Sequence, residues 1–220
     1  MTASATQDRK ALFLLLSLLL FLMLVPFLEN SRIGEFVLIV SMYANLVAAA
    51  VQLSERKALI RPSILLAGLS MLALLGSHLV PIRPLVIANF IFLTAFFGFV
   101  AVGLFAYLDK PGSITTGRIY ASASLYLILG MFWYGLYNLI DTVAPGSFAH
   151  MRAAAPGGIP RGSLLYFSFI TLTTTGYGDV LPVSPVAQMA AALEAVTGVL
   201  YIAITVARLV ASYQKRAGQP

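Results

Sequence analysis

Residues 171–179 read Thr-Leu-Thr-Thr-Thr-Gly-Tyr-Gly-Asp, a stretch too rich in Thr and Gly to continue the apolar segment before it. That segment, residues 164–173, is predicted to be a helix with Ser163 as its N-cap. Such a helix is roughly 15 Å long and reaches only about halfway through a bilayer core of about 30 Å. Irregular backbone at membrane depth occurs only where protein buries it or where it lines a watery path. The stretch therefore predicts a re-entrant loop beside a permeation route.

The composition of the chain places this loop in a membrane protein. Of the 220 residues 60% are hydrophobic and 10% are charged, whereas soluble domains carry about 25% charged residues. The mean hydropathy is +0.91. Six apolar stretches come close to the roughly 20 residues that a helix needs to cross the bilayer. They are residues 11–28, 36–53, 63–80, 85–108, 119–143 and 187–211. We therefore predict an all-α integral membrane fold with six transmembrane helices and one re-entrant helix.

The charged residues indicate the orientation of these helices. Six spans place both termini on one side, and cytoplasmic loops are enriched in Lys and Arg. The termini and the loops on their side contain 10 Lys and Arg, against 4 in the opposite set. Both termini are therefore predicted to be cytoplasmic, in a multi-pass protein of the cell membrane whose residues 144–162 form an external loop.

Other function classes find little support in the sequence. The net charge of +6 comes from basic residues scattered between apolar runs, so we expect membrane lipid and no nucleic acid as a partner. The chain has no Cys, and neither His78 nor His150 has a metal-ligand partner at helical spacing. No nucleophile, base and oxyanion set is visible, so an enzyme is not expected. We identify no soluble ligand.

The chemistry of residues 174–178 suits a dehydrated cation. Stripping water from K⁺ requires replacement oxygens, and a ring of backbone carbonyls from several subunits supplies them without a fixed charge. Gly176 and Gly178 can adopt backbone angles closed to other residues, so successive carbonyls can point at one axis. Thr174 adds a hydroxyl oxygen, and the preceding helix aims its partly negative C-terminal end at the same region.

The residues Thr174-Thr175-Gly176-Tyr177-Gly178-Asp179 resemble the potassium-channel signature, with Thr175 where many members carry Val. The likeness covers residues 118–216, as a span, an external loop, a pore helix, a filter and a final span. It implies a homotetramer whose four-fold filter binds K⁺ ions. The implied K⁺ ligands are the carbonyls of Thr174, Thr175, Gly176 and Tyr177 and the Thr174 hydroxyl, with Gly178 at the outer mouth.

The same resemblance implies roles for residues around the filter. Tyr166 and Phe167 occupy the place of an aromatic pair that supports the filter together with Asp179, and bracing by Tyr166 is a hypothesis because Phe167 has no hydrogen-bonding group. Gly198 falls where the family often has a gating hinge. Helical spacing from Gly198 predicts a pore-facing stripe that lines the cavity. Its members are Val199, Ile202 and Val206.

Two positions need separate interpretation. Ile170 stands where some relatives carry a carboxylate that braces the aspartate after the filter, so their inactivation behaviour should not be transferred. Glu194 lies in the middle of the sixth span, where a carboxylate needs a partner or water. It could attract cations or support the pore helix, or it could be a protonated structural acid bonded between helices. The sequence leaves these alternatives open.

The best internal boundary is residues 109–117, where the apolar pattern stops at Pro111 and Gly112. It separates residues 1–110, four spans, from a pore domain of residues 111–220. The fourth span contains no Lys or Arg, and Arg83 alone precedes it. Steep voltage gating needs several charges per subunit. We therefore predict a voltage-sensor-like domain without gating charges, packed beside the pore helices of its own subunit because the linker is short.

Two rival functions remain at this stage. A cation channel that does not choose between K⁺ and Na⁺ is disfavoured, because related non-selective filters depart from Gly-Tyr-Gly. A potassium transporter subunit would carry several unequal pore loops, and this chain has one.

Overall fold

The computed structural model describes residues 3–28, 31–52, 57–80, 82–109, 115–151 and 161–217. Within these ranges the chain forms seven helices and two short strands. The helices are α1 (Ala3–Leu28), α2 (Arg32–Gln52), α3 (Lys57–Leu79), α4 (Arg83–Leu108), α5 (Thr116–Val143), α6 (Arg161–Leu172) and α7 (Pro185–Ala217). The strands are β1 (Phe148–His150) and β2 (Val180–Pro182).

A helix occupies each of the six stretches predicted to cross the membrane, and α6 is the half-length helix between the last two. Five of the described helices are long and apolar enough to span a bilayer, namely α1, α3, α4, α5 and α7. The apolar part of α2 is shorter, Phe36–Ala49. The all-α membrane fold is thereby confirmed. The helices extend past the apolar stretches because a helix continues through polar residues at the membrane surface.

The centre of the fold is α5, which contacts α1, α4, α6 and α7. One core cluster joins α1 and α4 to α5 through large apolar side chains such as Leu14, Phe96 and Ile128. The first four helices therefore pack, through α1 and α4, against α5 of the same chain. A second cluster joins α5 to α6 and to the start of α7. The short helix α6 is held between α5 and α7 as a result.

Polar contacts tie α5 to the first four helices at both of its ends. The Gly117 N–H donates to Asp8 Oδ1 of α1 at 2.9 Å. At the other end the Arg83 guanidinium donates to the carbonyls of Thr142 and Val143, at 3.0 and 2.6 Å. An anion near a helix N-terminus and a cation near a C-terminus are both stabilising.

The strands β1 and β2 form an antiparallel pair with Ala149 opposite Leu181. This pairing was not predicted, because strands of three residues leave no periodic signal. It joins the segment after α5 to the segment after residue 179, and the Met151 N–H adds a bond of 2.8 Å to the Asp179 carbonyl.

Two boundary predictions come out differently. Ser163 is not the N-cap of α6, because the helix begins at Arg161 and Ser163 lies in its first turn. Boundaries of this kind shift by one or two residues because a first turn accepts Gly and Ser. The linker prediction of residues 109–117 falls largely on residues 110–114, which lie outside the described residues, and α5 begins at Thr116.

Candidate ion-conducting site

The end of α6 leads directly into residues 173–179, and the backbone N–H groups of the first four of these residues bond back to α6. The Thr173 N–H donates to Phe169 O and the Thr174 N–H to Thr171 O, at 3.1 and 2.9 Å. The Ile170 carbonyl accepts from both Thr175 N and Gly176 N, at 2.8 and 3.1 Å. Residues 173–176 are therefore fastened to α6 by their backbone N–H groups.

The backbone angles of this stretch alternate in sign. Thr174, Gly176 and Gly178 have φ of 58°, 51° and 78°, while Thr175 and Tyr177 between them have negative φ. Alternation of this kind can turn neighbouring backbone N–H groups toward one side of the chain. Thr174 is the one non-glycine residue with positive φ in the described part of the chain, and such a conformation costs about 1–2 kcal/mol.

This stretch is exposed in the single chain. Residues 173–177 are all exposed, and the Tyr177 side chain is 72% accessible. The carbonyls of residues 174–178 accept no backbone hydrogen bond from the described residues. The Thr173 and Thr175 hydroxyls contact each other at 2.9 Å. This exposed stretch thus carries carbonyls without a backbone donor among the described residues, and such acceptors are what cation binding requires.

The two aromatic residues of α6 take different places. Tyr166 is exposed, and its hydroxyl lies near the Asp179 carboxylate. Phe167 is buried, with its ring centroid 5.2 Å from that of Tyr137 and 5.5 Å from that of Phe148. Phe167 therefore packs α6 onto α5 and β1, and bracing by Tyr166 stays a hypothesis.

Ile170 contributes through its backbone. Its side chain is buried in the second core cluster, and its carbonyl holds the two N–H groups of Thr175 and Gly176. The Asp179 carboxylate accepts from its own neighbour, Val180 N, at 3.1 Å.

Gly198 lies where α7 crosses the end of the pore helix. A Cβ built at this position would be 1.9 Å from the Leu172 carbonyl oxygen, so only glycine allows this approach. The helix α7 continues through Gly198 without a break. Close packing is thus a sufficient reason for the glycine, and its predicted role as a hinge stays a prediction.

The predicted cavity residues Val199, Ile202 and Val206 are all about half exposed. Exposure alone does not single them out, since most of α7 is exposed in the single chain. Ile202 and Val206 also border a lateral apolar depression of about 440 Å³ between α7, α5 and α1. The cavity assignment of the three residues stays a prediction.

Glu194 is fully buried between three helices. The Tyr137 hydroxyl of α5 donates to Glu194 Oε2, and the Ser168 hydroxyl of the pore helix lies 2.6 Å from Glu194 Oε1. Of the roles left open by the sequence, its placement fits contact with the pore helix and a bond between helices.

The structure also shows functional contacts that the sequence did not indicate. Ser168 and Tyr137 were not singled out, although a polar side chain inside an apolar helix is the same signal that drew attention to Glu194. Arg83, noted only as a lone charge before the fourth span, is bonded to the end of α5. No cluster of three or more metal-ligating side chains occurs among the described residues.

The comparisons with known proteins bear on the carboxy-terminal part of the chain. Residues 121–215 match a protein-family model described as an ion channel. The match begins inside α5 and ends inside α7, so it contains α6 and the exposed stretch that follows it. No curated protein and no solved structure matches the chain. The family match and the long apolar helices support an ion channel embedded in a membrane.

Proposed function

We propose that this chain is one subunit of a homotetrameric, potassium-selective channel that conducts K⁺ passively across the cell membrane. The observation that carries the proposal is the alternation of φ over residues 174–178. The exposure of Thr174, Thr175, Gly176 and Tyr177 supports it, since their carbonyls accept no backbone hydrogen bond from the described residues. In a four-fold assembly these would line the axis, the Thr174 hydroxyl would close the inner end and Gly178 would form the outer mouth.

The need for further subunits follows from what a single chain exposes. One row of carbonyls covers one side of an ion, whereas a dehydrated K⁺ requires oxygens all around it. The exposed Tyr177 and the apolar faces of α7 would be covered in the same assembly. Cytoplasmic termini, as the distribution of Lys and Arg predicts, would place the mouth at Gly178 on the external side.

The experiment is ion flux from liposomes that contain the purified protein. A K⁺ gradient should drive rapid flux, and the same gradient of Na⁺ should drive very little. Equal fluxes would instead identify the non-selective channel, and flux that requires a second gradient would identify a transporter.

A matched pair of glycine variants links the flux to residues 174–178. Gly178→Ala places a Cβ at φ 78° with no atom within 4 Å, so it changes backbone preference without a steric clash. Gly146→Ala in the outer turn has the same properties at φ 85°. Each costs about 1–2 kcal/mol locally. We expect Gly178→Ala to lose selective K⁺ flux and Gly146→Ala to keep it; equal effects would contradict the filter assignment.

A further inference from the structure

We propose that Glu194 carries a proton that fastens the pore helix α6 to both flanking helices, so that its loss at alkaline pH loosens the filter and lowers K⁺ conduction. This inference rests on the proposed function, since it concerns the support of the same filter. It assigns to Glu194 the role of a positioning residue.

Three hydrogen-bonding contacts converge on this carboxyl group and on Ser168. Tyr137 of α5 contacts Glu194 Oε2, and Ser168 of α6 contacts Glu194 Oε1 at 2.6 Å. The Ser168 hydroxyl also lies 2.8 Å from the Gly130 carbonyl of α5. Glu194 and Ser168 both have no accessible surface. The three contacts form a closed chain that runs from α5 to α7, from α7 to α6 and from α6 back to α5.

A count of protons assigns the charge state. A backbone carbonyl can only accept, and a serine hydroxyl has a single proton. The contact with the Gly130 carbonyl uses the Ser168 proton, so the Ser168–Glu194 contact needs a proton from Glu194. Tyr137 donates its proton to Oε2, so the three contacts use one proton each from Tyr137, Ser168 and a neutral Glu194. When Glu194 is ionised, only the protons of Tyr137 and Ser168 remain, and one of the three contacts is lost.

The surroundings agree with a neutral group. The titratable side chains that interact with Glu194 are Tyr137 and Tyr126, both on α5. From α6 the partner is Ser168, which does not titrate in this range. No basic side chain pairs with Glu194 among the described residues. A buried carboxylate without a cation is unfavourable, and protonation removes this cost.

Loss of the proton to hydroxide or water has a defined consequence. Ser168 must then donate either to Glu194 or to Gly130, so α6 loses its bond to α7 or its bond to α5. Ser168 lies two residues before Ile170, whose carbonyl holds the N–H groups of Thr175 and Gly176. The approach of α6 to α5 is close here, since a Cβ at Gly130 would be 2.7 Å from the Phe169 ring. Movement of this turn therefore reaches the filter backbone.

The first test is the pH profile of K⁺ flux in Glu194→Gln. The amide can donate to Ser168 and accept from Tyr137, so it keeps all three contacts and cannot ionise. We expect wild-type flux to fall several-fold as the pH rises from neutral into the alkaline range. The variant should conduct like wild type at neutral pH and should not show this fall. The same fall in the variant, no fall in the wild type, or an assembled variant without flux would overturn the proposal.

A pair of serine variants tests the path through Ser168. Ser168→Ala removes the hydroxyl that links the helices, and we expect a several-fold rise in Na⁺ flux relative to K⁺ at neutral pH. Ser124→Ala removes an equally buried hydroxyl whose one bond within the described part of the chain is to Tyr120 O of its own helix, at 2.9 Å. It should behave as wild type. Equal effects of the two variants, or none from Ser168→Ala, would contradict the role of Ser168.

Infrared spectroscopy tests the proton without any flux. Protein labelled with ¹³C at the glutamate carboxyl groups should show a protonated carboxyl band at neutral pH that is absent from Glu194→Gln. The wild-type band should disappear in the alkaline range. If the wild-type spectrum at neutral pH shows ionised glutamates and no protonated carboxyl band, the proposal is overturned, even where the variants do not fold. Because this result does not depend on conduction, its failure is distinguishable from failure of the proposed function.

Discussion

Single residues decide how closely α7 packs on the pore helix, and Gly198 is the clearest case. We expect Gly198→Ala to destabilise the protein by roughly 1–3 kcal/mol, because the new methyl group meets the rigid Leu172 carbonyl. Gly68→Ala in α3 is the matched control, since its Cβ has no atom within 4 Å. Thermal unfolding in detergent measures both. A Gly198→Ala protein as stable as the control would contradict close packing and favour a hinge.

Tyr166 is the residue whose bracing role can be tested most directly. Tyr166→Phe removes the hydroxyl near Asp179 and keeps the ring. We expect conduction to decay faster at low K⁺, since a filter with one support fewer collapses more readily. The matched control is Tyr107→Phe in α4, which removes a hydroxyl from another helix and keeps the ring near Arg118. Equal decay in the two variants would exclude the brace.

Arg83 is a capping residue in this structure, which bears on voltage sensing. Its guanidinium is bonded to two carbonyls at the end of α5. We expect Arg83→Gln to lower the stability by about 0.3–1 kcal/mol, the usual value of a cation at an exposed helix C-terminus. The dependence of conductance on voltage should not change. A shift of that dependence in current recordings would show that Arg83 moves in the field.

Among the elements, the sequence predicted the helices much better than their contacts. Apolar length alone located all the long helices, because lipid permits no other spanning structure for them. Gly176 and Gly178, together with the half-length helix before them, located the re-entrant loop. The positive φ of Thr174 had no local signal, since it is imposed by the bonds of Thr175 and Gly176 to Ile170.

The contacts of Glu194 could not be predicted from the sequence, for a different reason. Its partners lie 57 and 26 residues away in the chain. Finding them requires the rotation and height of α5 and α6 relative to α7. These depend on close approaches such as that of Gly130 to Phe169, which no periodicity describes.

For the whole molecule, the packing of α4 on α5 in one chain can be tested in the assembly. Gly98 of α4 lies against Phe132 of α5, and a Cβ built at Gly98 would be 3.2 Å from the Phe132 ring. The chain has no Cys, so Gly98→Cys and Phe132→Cys give a clean background. With a short thiol crosslinker, both cysteines on one chain should link within it. Dimer bands from cysteines on separate chains would show exchanged domains.

The first four helices have a consequence for attempts to transplant the pore. They supply an acidic side chain, Asp8, at the beginning of α5 and a basic one, Arg83, at its end. A fragment that starts at Thr115 would keep its own threonine cap and lose both charges. Protein engineers who wish to move this pore into another scaffold would therefore have to rebuild one anionic and one cationic group. In this protein α1 and α4 bond to the two ends of α5, so an exchange of helices has to preserve both of these contacts.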